Sequence, residues 1–307
     1  MTETLILSNS PHIHSKVSGR RLMLDVILAL LPAAAAAVIL FGAKAGAILA
    51  VCTATAVLSE VLFNLCCGKE QTVGDLSAVV TGLLLGLNLS TNVPLWQCAA
   101  GSVFAIIVVK CIFGGIGKNF ANPAISGRVF MLLVFSSVAG GAAPKVVDLV
   151  SSATPLEMLA NRSELPSLGN MLLGLRGGAI GETCIIALAA GYAWLVGRKV
   201  IKWYVPAAFI GTVFMLFFIS AGDFMFAVYE ILSGGLFLGA IFMATDYVTT
   251  PINSYGRVIF AVGCGIITFV IRSWFAYPEG VSFSILIMNL LSPYIERLTA
   301  GKPLGGA

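Results

Sequence analysis

A succession of long apolar segments, separated by short polar stretches, is the feature that most constrains how this chain can fold. The first segment, residues 22–41, is about as long as a helix must be to cross ~30 Å of hydrocarbon, which takes ~20 residues. Only 10% of the 307 residues are charged, whereas soluble domains carry about 25%. The sequence therefore predicts an all-α integral membrane protein, because a helix satisfies its own backbone in lipid. It contains no basic, aromatic-rich stretch that would indicate nucleic-acid binding.

The apolar segments form two groups of five, so we predict about ten transmembrane helices. The first group comprises residues 22–41, 45–67, 76–89, 95–112 and 124–138, and the second comprises 179–196, 203–219, 224–243, 258–275 and 281–295. We therefore divide the chain into an amino-terminal tail (1–21), a first five-helix repeat (22–138), a polar loop (139–178) and a second five-helix repeat with a short carboxyl-terminal tail (179–307).

Lys and Arg are distributed unevenly over the segments between these helices. If the amino terminus is cytoplasmic, most of them fall on the inner side, including Arg20, Arg21, Arg198 and Lys199. Such residues favour cytoplasmic loops. We therefore predict a multi-pass protein of the cell's inner or plasma membrane, with both termini in the cytoplasm and the loop 139–178 outside.

A similar five-residue sequence occurs in the third apolar segment of each half. Gly82 and Gly86 enclose three apolar residues in the first half, as do Gly235 and Gly239 in the second. Because each half has an odd number of helices, the two copies would be inverted relative to each other, an arrangement that often places a binding site near the membrane midplane. The alternative is that these glycines only allow helices to pack closely.

Acidic residues occur where an ionised side chain is costly in lipid, at least ~2.5 kcal/mol at the bilayer centre. Asp25, Glu60, Glu230 and Asp246 lie inside or at the ends of predicted helices. We consider Glu230, Asp246 and Asp25 as candidates for an ion pathway. The alternative is that they lie at the membrane interface or cap a broken helix.

Two polar clusters flank predicted helices. One contains Asn119 and Asn122 before the fifth helix, and the other contains Thr245 and Asp246 after the eighth; both include a proline. Irregular backbone at membrane depth is tolerated where it lines a cavity, so these segments are candidates to line a cavity or to dock a partner. The glycines near Lys118 do not match a phosphate-binding loop.

No residues in the sequence form the active site of a soluble enzyme or a metal site. His12 and His14 lie in the amino-terminal tail, and the seven cysteines fall mostly in apolar segments, with no C-x-x-C pair. We therefore assign no catalytic residue and no metal ligand, and we interpret the cysteines as packing residues. Chemistry here would require a cofactor.

The loop 139–178 contains the motif that indicates a family. Its residues 148–154 include Asp148, Ser151, Ser152, Ala153 and Thr154, followed by a proline. This motif resembles the Asp-x-x-Ser/Thr-Gly-Ala-Thr signature of the family that contains the D subunits of Rnf complexes and the B subunits of sodium-pumping NADH:quinone reductases, with serine at the usual glycine position. The resemblance extends to residues 119–124 and 243–251 and to the two five-helix halves. We therefore also predict that Asn119, Asn122, Thr245 and Asp246 bind a cofactor.

The resemblance implies a function and a cofactor. Members of this family take part in ion-translocating electron transport, and the Rnf complexes are ferredoxin:NAD oxidoreductases. The resemblance implies that FMN is joined to Thr154 by a phosphoester bond made by a flavin transferase, and that a second, non-covalent flavin such as riboflavin lies within the membrane. Electrons would arrive from an iron–sulfur partner among the other Rnf subunits, with the chain coupling electron transfer to Na⁺ or H⁺ movement in the lipid bilayer.

Two other functions fit the residues without that motif. Inverted halves, glycines near the midplane and buried acids also suit a cofactor-free permease or channel. A structural anchor for redox partners is the third interpretation. A flavin bound to the chain would separate the first interpretation from these two.

Overall fold

The computed structural model describes residues 18–135, 141–144, 154–160, 165–275 and 280–300. Within these ranges the chain is helical, as predicted, and the only β-pairing is an isolated bridge between Ala142 and Gly178. The helices are α1 (Gly19–Phe41), α2 (Ala43–Cys66), α3 (Ser77–Leu87), α4 (Leu95–Cys111), α5 (Pro123–Val134), α6 (Pro155–Ala160), α7 (Leu168–Leu173), α8 (Ile185–Gly197), α9 (Tyr204–Ala221), α10 (Phe224–Leu232), α11 (Leu236–Met243), α12 (Ser254–Trp274) and α13 (Val281–Thr299).

Four of the described helices are long and apolar enough to cross a membrane: α1, α2, α9 and α12. The pair α10 and α11 makes a fifth candidate, bent by 65°. Helices α3, α4, α5 and α8 are apolar but shorter. The chain is therefore a multi-pass membrane protein, while the total of about ten spans stays a prediction.

The eighth predicted span was wrong as one continuous helix over residues 224–243. It is interrupted at residues 233–235, hereafter the helix break, where Ser233 is extended and Gly234 has a φ of +64°. A left-handed φ favours glycine, because other side chains are strained there. The Ser233 hydroxyl donates to the Tyr229 carbonyl, and such local bonds compete with helix continuation.

Helix α8 begins at Ile185, six residues later than predicted for the sixth span. The residues before it are irregular, and their amides donate hydrogen bonds to backbone carbonyls at the end of α3. The amide of Ile180 donates to the Leu89 carbonyl at 2.9 Å, and that of Gly181 donates to the Leu87 carbonyl at 2.8 Å. A short helix that ends inside the protein needs such partners for its last carbonyls.

The two halves show matching helix contacts. Helix α2 packs against α3 and α4, while α9 packs against α10 and α12; α1 contacts α8, and α5 contacts α13. The inverted repeat stays a prediction. At Gly82, α3 lies against the backbone of α2 at Cys52 and Thr53, so a side chain would collide there. The close-packing role considered for these glycines therefore applies at Gly82.

Candidate functional site

A cavity lies at the end of the bundle where α1 begins. Apolar side chains form most of its wall, among them Leu22 and Val26 of α1, Val80 and Leu84 of α3, and Phe242 of α11. Both polar clusters singled out in the sequence contribute to its lining, which contains Asn119, Asn122, Thr245 and Asp246. The fold therefore brings together residues that lie more than a hundred positions apart in the chain.

Asn122 is placed by the start of α5. Its side-chain oxygen accepts from the amides of Ala124 at 3.0 Å and Ile125 at 3.3 Å, and Pro123 occupies the first helical position. This is the usual helix N-cap, in which a short polar side chain satisfies free amides. The remaining amide group of Asn122 donates to Asp246 Oδ2 at 3.5 Å, so the cap also joins the two polar clusters.

Asp246 is held in a turn that follows α11. Its carboxylate accepts from the Thr249 hydroxyl at 3.1 Å and from the Val248 amide at 3.4 Å. Asn289 of α13 connects both clusters when its side-chain amide is oriented to suit its neighbours. Its nitrogen then donates to the Thr249 carbonyl at 3.2 Å, and its oxygen accepts from the backbone amide of Asn122 at 3.1 Å. The polar wall of the cavity is thus a hydrogen-bonded unit built from three parts of the chain.

Lys110 is a cavity residue that the sequence analysis missed. It lies near the end of α4, is 2% exposed and donates to Glu60 Oε1 of α2 at 2.8 Å and to the Ser77 hydroxyl. Glu60 is itself 1% exposed and also accepts from the Thr72 hydroxyl. Asp75 accepts from the Ser77 hydroxyl in turn. A charged side chain this deeply buried requires a paired partner, and here Glu60 supplies it.

Thr154 lies at the other end of the bundle. It is half-buried and caps the short helix α6: its Oγ1 accepts from the Glu157 amide at 3.3 Å, and its own amide donates to Glu157 Oε2 at 2.8 Å. This reciprocal pair is a capping box, which Thr-x-x-Glu signals in a sequence. The other predicted members of this motif, Asp148, Ser151, Ser152 and Ala153, lie outside the described residues.

The surroundings of Thr154 connect it to the helix break. The Thr154 methyl group lies against Gly141, whose carbonyl accepts from Asn92 at 2.9 Å. Two residues further along the chain, Leu156 of α6 packs against Gly234 at the helix break. Residues 174–184 also lie at this end, since Gly174 contacts Leu40 near the end of α1. Thr154 is therefore separated from the cavity, although the sequence analysis grouped both as cofactor-binding.

A buried arginine organises the segment that follows α7. The Arg176 guanidinium donates to the carbonyls of Glu182 at 2.9 Å and Thr183 at 3.4 Å, and the Glu182 carboxylate accepts from the Ala179 amide at 2.9 Å. Burial lowers the pKa of Arg176 to about 10, so the side chain stays positively charged at neutral pH. The charge is stabilised chiefly by carbonyl oxygens and by nearby Glu182.

The three ion-pathway candidates do not form one cluster. Asp25 accepts from Arg198 at 3.2 Å near the cavity end of α1, and Asp246 lines the cavity itself. Glu230 lies at the helix break instead, where it accepts from Arg272 at 3.2 Å. The same guanidinium donates to the carbonyls of Glu230 at 2.7 Å and Ser233 at 3.1 Å. Arg272 thus occupies the carbonyl end of α10, where helices favour cations.

The fold and this cavity define a class: a polytopic membrane protein with a cavity that is lined mainly by apolar side chains and partly by polar ones. Comparison with known sequences gives the family. The family model described as NQR2, RnfD, RnfE matches residues 6–305, and the chain belongs to that family.

Relatives cover almost the whole chain. The chain is 42% identical over 306 residues to the D subunit of the Na(+)-translocating ferredoxin:NAD(+) oxidoreductase complex of Acetobacterium woodii, covering 98% of the chain and 95% of that protein. It is 38% identical to the D subunit of the proton-translocating ferredoxin:NAD(+) oxidoreductase complex of Clostridium ljungdahlii, with 97% and 96% coverage. It is 30% identical to the D subunit of the ion-translocating oxidoreductase complex of Escherichia coli O7:K1, with 97% and 98% coverage. The first two names specify different ions.

Proposed function

We propose that this chain is the D-type membrane subunit of an ion-translocating ferredoxin:NAD oxidoreductase, and that it carries electrons through FMN esterified to Thr154. The observation that supports the attachment is the fixed hydroxyl of Thr154. It accepts one hydrogen bond from Glu157 and donates none within the described part of the chain, so esterification would remove no hydrogen bond there. Thr154 is only half-buried, which is compatible with access by a modifying enzyme.

The cavity at the opposite end suits a second, non-covalent flavin. Apolar side chains with a few convergent polar groups line it, which is the usual composition of a ligand pocket. Its apolar walls would contact the flat ring, and Asn119, Asn122, Thr245 and Asp246 would bind the polar groups. Asn119 Oδ1 is buried without a hydrogen-bond partner among the described residues, and a ligand donor would satisfy it. When bound, the flavin would supply the electron-transfer chemistry.

The direct test is the composition of the chain purified from its native host, with the transferase and partner subunits present. We expect an intact mass that exceeds the sequence mass by FMN less one water, and riboflavin in the acid extract. An unmodified, colourless chain would contradict the proposal and favour a cofactor-free permease or a structural anchor.

The proposal includes coupling to Na⁺ or H⁺, and Glu230 is the acid at the helix break. We predict that Glu230→Gln reduces ion transport in vesicles while covalent flavin stays at the wild-type level, because the change removes the carboxylate paired with Arg272 and leaves the Thr154 hydroxyl in place. Asp223→Asn is the matched control: Asp223 is exposed at the start of the same helix and caps it, and asparagine caps equally well. Unchanged transport in Glu230→Gln would remove Glu230 from the ion pathway.

A further inference from the structure

The cavity has charged groups of opposite sign in its lining. Among the described residues that line it, Lys110 is the basic residue and Asp246 the acidic one. The two come from different parts of the chain: Lys110 lies near the end of α4, and Asp246 lies in the turn after α11. Apolar side chains such as Leu84 and Phe242 also line the cavity. A ligand there would meet a cation and an anion in largely apolar surroundings, where charges act strongly.

Lys110 can donate to a ligand. An ammonium group has three donors, and within the described part of the chain two of them go to Glu60 and Ser77. Glu60 and Asp75, the acids connected to Lys110, do not line this cavity. A ligand in the cavity would therefore contact the Lys110 ammonium group rather than the carboxylates of Glu60 and Asp75.

Asp246 offers the opposite chemistry. An ionised carboxylate only accepts hydrogen bonds, and its donors in the structure are Thr249, the Val248 amide and Asn122. Asn122 and Thr245 lie beside it in the lining. This part of the wall suits a ligand group rich in hydroxyl donors, and it disfavours an anion.

We propose that the cavity orients a flavin with the pyrimidine edge of its ring toward Lys110 and its ribityl hydroxyls toward Asp246, so that Lys110 makes the site prefer the reduced form. This rests on the proposed non-covalent flavin. The reduced form differs from the oxidised form by two electrons and one proton, supplied by a reductant and by water, and carries one negative charge on the pyrimidine part of the ring. A cation held beside that edge stabilises the charged form, which is how a protein tunes a bound cofactor.

The first test measures the preference for the reduced form. The full-length chain with Thr154→Ala, loaded with riboflavin, is titrated with dithionite against a reference dye. We expect Lys110→Met to lower the reduced-to-oxidised ratio at fixed potential by about tenfold, equivalent to about 30 mV for a two-electron couple. Lys118→Met is the matched control, because Lys118 is exposed and does not line the cavity.

Lys110→Met leaves the Glu60 carboxylate buried without its cation, so the variant can fail to fold. The double variant Lys110→Met/Glu60→Gln removes both charges and keeps the measurement available. For the double variant we expect a smaller fall of the reduced-to-oxidised ratio, because Lys110 lies closer to the ligand than Glu60 does. For Glu60→Gln alone we expect the ratio to rise, because a negative charge is removed. A double variant that titrates like its parent would overturn the assignment of Lys110.

The second test measures orientation with two ligands. Riboflavin has the ribityl chain, whereas lumiflavin has a methyl group in its place. We expect Asp246→Asn to weaken binding of riboflavin by about tenfold, the effect of one hydrogen bond to a charged group, and to leave lumiflavin binding unchanged. Equal weakening of both ligands would overturn the orientation. If the parent chain binds neither ligand, the proposed second flavin site is itself wrong. If both ligands bind, an unchanged reduced-to-oxidised ratio refutes only the role of Lys110, and an unchanged affinity for riboflavin refutes only the role of Asp246.

Discussion

Thr154→Ala is expected to abolish covalent flavin on this chain. The substitution removes the hydroxyl oxygen that would carry the phosphoester, and alanine offers no alternative atom. The measurement is flavin fluorescence of the chain after denaturing electrophoresis, together with its intact mass, when it is produced with the flavin transferase. We expect the fluorescence to disappear completely and the mass to equal that of the bare polypeptide.

The control must separate lost chemistry from lost folding, because Thr154 also caps α6 and removal of a cap costs about 0.5–2 kcal/mol. Ser167→Ala provides it: Ser167 caps α7, accepting from the Asn170 amide at 3.4 Å, and belongs to the same polar region of the chain. We expect Ser167→Ala to retain the fluorescent band. A band that persists in Thr154→Ala would place the attachment at another residue.

Arg272→Met is expected to destabilise the protein by about 3–5 kcal/mol, the usual effect of removing one partner from a buried ion pair. Arg272 and Glu230 have side chains that are 2% and 8% exposed, so the carboxylate would remain buried without its cation. The carbonyls of Glu230 and Ser233 would lose their donor as well. The measurement is denaturant unfolding in detergent micelles, followed by circular dichroism.

Arg198→Met is the matched comparison, since it removes the same type of side chain from a pair that is 40% exposed on the arginine side. An exposed pair contributes about 0–1 kcal/mol, so we expect a small effect. Arg272→Met/Glu230→Gln should recover part of the lost stability, because the neutral amide is cheaper to bury than the carboxylate. A loss of stability in Arg272→Met as small as that in Arg198→Met would show that Arg272 does not stabilise the helix break.

The sequence predicts the spans and one wall of the cavity because those depend on local patterns. Residues 22–41 coincide with most of α1, since a long apolar run in lipid has few alternatives to a helix. The clusters around Asn122 and Asp246 both line the cavity, one of the two roles considered for them, but the sequence did not predict that they meet. The Thr-x-x-Glu capping box at Thr154 was also visible in the sequence and was missed.

The buried partners could not be predicted from such patterns. Lys110 and Glu60 are fifty positions apart, and Arg272 and Glu230 are forty-two apart, so each pair depends on how helices pack rather than on spacing within one helix. Hydropathy marks each charge as costly but does not identify its partner. The helix break had a partial signal in the sequence Ser233-Gly234-Gly235, but the bonds from Arg272 to the carbonyls of Glu230 and Ser233 join residues about forty positions apart and had no such signal.

The contact of Leu156 with Gly234 has a mechanical consequence. Leu156 follows Thr154 by two positions and rests on the glycine at which the eighth span bends. A rigid rotation of α6 would have to lift that leucine from the bend or carry the bend along. A displacement of a group tethered at position 154 would therefore be transmitted through Leu156 to the bend between α10 and α11.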